Sequence, residues 1–220
     1  MARPVAPVHS PDSPGSLDAV LSRDGHELLL VPEPSLGRAE VLAQVGALAD
    51  ARGWCQVQRI ERTDQRCAED IFETADDSAV IRCIDDHFVS VGYLAITGPG
   101  RAEVAAALRA HIPAWGRTEL LALWRDGTAH ERAWAVRGLA AIAPMSAAPS
   151  TLECLIDAAG APEVLVRKDA LLAIARVAWP ELLATVRERS SVEPELELRH
   201  LAAQLAQVLR ALYPDQAPPS

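Results

Sequence analysis

The pattern of apolar and polar positions changes character near Pro113. Upstream, apolar residues come in short runs and alternations broken by turn residues. Glu27-Leu28-Leu29-Leu30-Val31 is an apolar run stopped by Pro32 and Pro34, which predicts a buried strand. Arg38 to Arg52 carries Val41, Leu42, Val45, Leu48 and Ala49 on one stripe and reads as a helix, with Gly53 as its stop. Trp54 to Ile60 predicts a further strand. Glu69 to Thr74, Ala79 to Asp85 and Phe88 to Thr97 then read as an antiparallel meander, with turns at Asp76-Asp77-Ser78 and Asp85-Asp86-His87. Gly98-Pro99-Gly100 closes it. Arg101 to Ile112 is a second helix on Val104, Ala105, Leu108 and Ile112. The order β-α-β-β-β-β-α predicts a small, mainly antiparallel sheet with two helices on one face, compatible with a split β-α-β arrangement.

Beyond Pro113 no strand signal remains, and the spacing is helical throughout. Thr118–Arg125, Arg132–Ala143, Thr151–Ala159, Val166–Ala178, Glu181–Arg189 and Leu198–Leu212 form three helix pairs. The fourth of these is apolar on almost every side, with Leu171, Leu172, Ile174 and Val177 separated by alanines. Such a helix needs burial all round, so it is expected between two similar neighbours. Leu172 stands where the outer copies have Arg137 and Gln204, which predicts that both of its flanks are dry.

Alignment on Arg132, Arg167 and Arg199 brings the three second helices into register at spacings of 35 and 32 residues. Each arginine is followed three positions later by an alanine, Ala135, Ala170 or Ala202, where a short side chain lets helices approach. A self-similar period of this length marks an α-solenoid. The phrase from Val166 to Ala175, opened by Val-Arg and preceded by a helix ending at Asp157, resembles the second helix of HEAT-like repeats. The resemblance covers about residues 117–212. It implies an all-α solenoid of about three helix pairs, and it says little about activity. Glu131 and Leu198 replace the valine in the outer copies, and a longer loop runs from Val192 to Glu197.

Composition adds bounds. Half of the 220 residues are hydrophobic and 23% are charged, which excludes a disordered chain. The expected organisation is a disordered leader at 1–24, a small α/β domain at 25–113, HEAT-like repeats at 114–213 and a disordered tail at 214–220. No apolar run reaches the roughly 18 residues of a membrane span, and the first twenty residues lack a signal-peptide core. Four scattered cysteines, Cys55, Cys67, Cys83 and Cys154, fit free thiols in a reducing compartment, and the expected location is the cytoplasm. The net charge is −9. Residues 1–113 carry ten arginines against seventeen acids, and residues 114–220 eleven basic residues against thirteen acids. Neither half has the positive excess that a phosphate backbone selects for, so a nucleic-acid partner is not expected.

Candidate chemistry is sparse. Arg132, Arg167 and Arg199 form either a basic ladder for an anionic partner or a structural ladder tied to acids or carbonyls near the inter-helix turns; recurrence in every repeat favours the structural role. Asp76-Asp77 and Asp85-Asp86-His87 are ordinary turn chemistry at opposite ends of one strand, and Cys67, Cys83 and His87 lack zinc-ligand spacing, so no metal is expected. Trp115, Trp124, Trp134 and Trp179 lie at helical spacing and read as core. No phosphate loop or catalytic triad is recognisable, Ser90 in a strand is no nucleophile elbow, and no cofactor is implied.

Three functions remain. The first is a non-enzymatic scaffold or adaptor that offers the concave face of its solenoid to another protein. Second helices line that inner face in such solenoids, so its solvent-facing positions include Ala133, Lys168 and His200, with Arg137, Arg176 and Gln204 further along. Arg137, Lys168, Arg176 and His200 then make a mildly basic surface suited to an acidic protein patch. Changing Arg137, Lys168 and Arg176 to glutamate is expected to spare the fold. The second is an enzyme on helical repeats, since HEAT-like folds include alkylated-base DNA glycosylases and bilin lyases. The third is a regulator that senses a ligand through the α/β domain. Oligomeric state is not legible.

Overall fold

A computed structural model describes residues 27–214. The leader at 1–24 and almost all of the tail at 214–220 lie outside those residues. β1 is Leu28–Pro32, α1 Arg38–Arg52, β2 Cys55–Ile60, β3 Ala68–Glu73, β4 Val80–Asp86, β5 Val91–Thr97 and α2 Arg101–Arg109. The order read from the apolar pattern is thus the order found. One strand has no counterpart there: β6, Ala114–Trp115, follows Pro113 directly and pairs with β1. Two residues carry no alternation, and the tie is made by β1 presenting Val31 and Pro32 to them.

The six strands form one antiparallel sheet in the order β2-β3-β4-β5-β1-β6. Alternation along β4 and β5 sends Ile81, Cys83, Leu94 and Ile96 to one face, where they meet Val41, Val45 and Leu48 of α1 and Val104 and Leu108 of α2. Gly53 ends α1 in the left-handed conformation, φ 70°, as an αL cap requires. Gly98, φ 98°, has no alternative, because a Cβ there would lie 2.4 Å from the carbonyl oxygen of Ser78. β5 starts at Val91 rather than Phe88, since Ser90 adopts φ 53° and belongs to the turn. The other sheet face carries Ile84, Val91, Tyr93 and Ala95, and the helical half buries it.

That half contains α3 Arg117–Asp126, α4 Ala129–Ala141, α5 Pro149–Ala159, α6 Val164–Val177, α7 Leu183–Val192 after a 3-10 turn at Pro180–Leu182, and α8 Leu196–Leu212. The pairs α3·α4, α5·α6 and α7·α8 pack internally, while α4 touches α6 and α6 touches α8. A capping box starts α4: the Thr128 N–H donates to Glu131 Oε2 at 2.7 Å, and Glu131 N–H faces Thr128 Oγ1 at 3.4 Å. Trp179 is buried after α6, its indole N–H donating to the Met145 carbonyl at 3.0 Å.

The central helix α6 departs from its expected environment. It buries Val166, Ala170, Leu171, Ala173 and Ile174, but also Arg167 and Asp169, while Leu172 is only half-buried. Leu172 therefore does not have two dry flanks; the dry positions fall one residue either side. Leu172→Asp is expected to cost about 1–2 kcal/mol, within the ordinary range for single substitutions, as measured by urea denaturation. A loss well above that would mean that Leu172 is drier in solution than its partial exposure indicates.

Candidate interaction surface

Each ladder arginine stands four residues after its helix N-cap: Thr128 before Arg132, Glu163 before Arg167, and Glu195 before Arg199. The three side chains therefore leave their helices at the same height, beside the turn that joins each pair. Arg132 bonds to Glu163, the N-cap of the following second helix, and lies over the Trp124 ring with its guanidinium carbon 5.6 Å from the centroid. Arg167 reaches forward to Glu193, donating Nε at 2.9 Å and Nη2 at 2.8 Å, and also bonds to the carbonyls of Ala161 and Pro162. Arg199, on the last described helix, bonds to the Glu193 and Pro194 carbonyls of its own pair. Burial pushes the Glu193 carboxyl up, but the Arg167 hydrogen bonds, the Glu195 N–H and nearby arginine charge outweigh it. Its pKa lies below the usual glutamate value.

The four expected partner-binding residues divide. Lys168 and His200 are exposed. Arg137 is not a free cation: its Nε lies 3.1 Å from Asp169 Oδ2 on the neighbouring α6, off line for a hydrogen bond but close in charge. Burial pushes the Asp169 carboxyl up more than Arg137 and Lys168 pull it down. Arg176 points toward the sheet, where Nε donates to fully buried Asp86 at 2.7 Å. Ala133, expected to face solvent, is buried in the core. The reasons differ. Arg137 is taken up by the seam between α4 and α6, whereas Arg176 is taken up by the sheet through Asp86.

Reasoning from the sequence missed the roles of Glu163 and Glu193, and it placed Asp86 in a turn, whereas Asp86 ends β4 and pairs with Arg176. The first had a legible signal, a glutamate four residues before Arg167 that recurs as Glu195 before Arg199. Asp86 had none, being 90 residues from Arg176. Asp70, buried on β3, was also missed; it accepts from Arg38 at 2.8 Å, Gln56 at 2.8 Å and Arg59 at 2.6 Å. Burial raises its pKa, and the two arginines more than reverse that.

The nucleophile candidates are quiet. All four cysteines are free, and Cys83 and Cys154 are buried. Burial pushes the Cys67 thiol up to about 11 and those of Cys83 and Cys154 up to about 12, so these three are thiols at neutral pH. Asp76 and Asp77 form a tight turn in which Ser78 N–H donates to Asp76 Oδ1 at 3.1 Å.

Apolar side chains reach solvent mainly on the last two helix pairs. Val164, Leu165, Val192, Leu196, Val208 and Leu212 are all exposed. Arg167 clamps the start of α6 to Glu193 in the turn after α7. Among the described residues no helix is long and apolar enough to cross a membrane. Comparison of the chain with protein-family models, curated proteins and solved structures gave no match.

Proposed function

We propose that this chain is a non-enzymatic protein-interaction module of the cytoplasm, in which the three helix pairs form a short HEAT-like solenoid. The observation that carries it is the recurrence of one arginine position at every second helix, with the first two arginines reaching forward to the next turn. Structural stacking of that kind builds an extended surface. The chain's own sheet occupies the part of the row nearest α4. The partner-facing part is the edge where α6 begins and α7 turns into α8, with Val164, Leu165, Val192 and Leu196 as contact area and Lys168 and His200 as its cationic flank. With Arg137 and Arg176 spent internally, contact with an acidic protein patch rests on those two, and apolar burial supplies the rest.

The test is capture from the native host with the full chain and with a Leu165→Asp/Lys168→Glu variant, both positions being exposed. Retention of a defined protein by the parent and its loss by a variant of equal melting temperature is the expected result. Identical captures by both would remove this edge from the role. Release of bases from alkylated DNA would instead favour the enzymatic alternative on the same repeat.

A further inference from the structure

The sheet has a gap. β1 pairs with β5 from Leu28↔Ile96 to Leu30↔Leu94 and then leaves it, so that Val31 and Pro32 pair with β6. Pro32 has no N–H to continue the ladder, and Glu33 N–H bonds outward to Pro113 O at 2.8 Å. The segments Pro32–Pro34 and Ser90–Tyr93 therefore diverge as two facing walls. Between them lies a cavity of about 210 Å³. Val41 and Leu42 of α1 close it on one side of the sheet and Trp134 of α4 on the other.

The charges at this cavity are unequal. Arg38, Glu33 and Asp85 line it. Arg38 is shared between buried Asp70 at 2.8 Å, a carboxylate that Arg59 also holds at 2.6 Å, and Asp85 at 3.6 Å. Glu33 forms no ion pair among the described residues. Two carboxylates thus line a chamber of mixed polar and apolar walls against one arginine, and Glu33 is the one left without a cation among the described residues. We infer that the gap between β1 and β5 is a binding site for a small organic cation, a protonated amine on a compact apolar body. The body lies against Trp134, Leu42 and Leu94, and the ammonium bonds to Asp85 and Glu33, where charge-assisted hydrogen bonds are strongest. A chamber smaller than the roughly 300 Å³ at the lower end for drug-sized ligands limits the body to about one ring or a short branched chain. Such a ligand touches α1, the sheet and α4 together. The inference goes beyond the interaction role and stands independently of it.

Phenethylamine is the probe, with phenylacetate as a counterpart of similar shape and opposite charge. Titration of the full chain followed by amide and indole NMR should give saturable shifts at Gly92, Leu42 and the Trp134 side chain with the amine. Asp85→Asn and Glu33→Gln should each weaken binding about tenfold, the scale of one charge-assisted contact. Both residues are partly exposed, so the variants keep the fold, and matching spectra away from the cavity check this. Phenylacetate binding as tightly as the amine, undiminished binding by the two variants, or no shift with millimolar amine would each overturn the site. Partner capture through the α6–α8 edge is unaffected by any of these outcomes.

Discussion

Replacing Arg167 by methionine should destabilise the protein by about 3–5 kcal/mol, the cost of leaving a buried charge without its partner. Glu193 is fully buried, and Arg167 supplies its side-chain donors, with one further bond from the Glu195 N–H at 3.2 Å. The same residue ties down the Ala161 and Pro162 carbonyls, so the loss includes the turn inside the second helix pair as well as its tie to the third. The pH dependence carries a sign. With its folded pKa depressed, Glu193 contributes stability that is complete above the ordinary glutamate value and fades as pH falls through the folded one. In Arg167→Met the carboxyl keeps its burial and loses its cation, so its pKa moves the other way. The variant should regain stability relative to the parent on acidification. Denaturant titrations at a series of pH values read both effects, and a constant difference between the two proteins from neutral to acid would refute this account. Replacing both partners by apolar residues of similar volume should restore much of the loss.

The second large effect is expected at the joint between sheet and helices. Asp86 is fully buried at the end of β4, with Arg176 Nε at 2.7 Å and the Phe88 N–H at 3.1 Å. Desolvation opposes the Arg176 charge, but Asp86 outweighs it and holds the pKa above the usual arginine value. Arg176→Met should therefore cost about 3–5 kcal/mol, and Arg176→Glu more, since it sets two carboxylates together. Hydrogen exchange should report the damage at residues 85–91 and along the end of α6, ahead of the remote β2–β3 edge. Asp86→Asn combined with Arg176→Met should be milder than Arg176→Met alone. If the single variant melts within a degree or two of the parent, the sheet and helices are not held by this pair. The charge reversal that looked harmless on a solvated helix face, with Arg137, Lys168 and Arg176 all made glutamate, is for the same reason expected to unfold the chain.

The elements and their order were written in the chain. Period-two and period-3.6 patterns are local properties, set by which neighbours share a face. They located α1 residue for residue, the meander, and all six later helices to within a few residues. The helix period also marked Arg132, Arg167 and Arg199 as equivalent, which the common distance from each N-cap supports. The two-residue β6 escaped because a pattern needs more than one repeat to be visible.

What the tertiary structure decided is which of the cationic positions are free. Helical periodicity places Arg137, Lys168, Arg176 and His200 on accessible helix faces, and nothing local tells them apart. Their fates depend on partners far along the chain: Asp169 for Arg137 and Asp86, 90 residues upstream, for Arg176. The gap between β1 and β5 belongs to the same class. Pro32 announces the end of a strand, but only the packing of α1 above and Trp134 below turns that ending into a chamber. An apolar stripe states that a face must be covered; what covers it depends on contacts between distant segments, which no local period encodes.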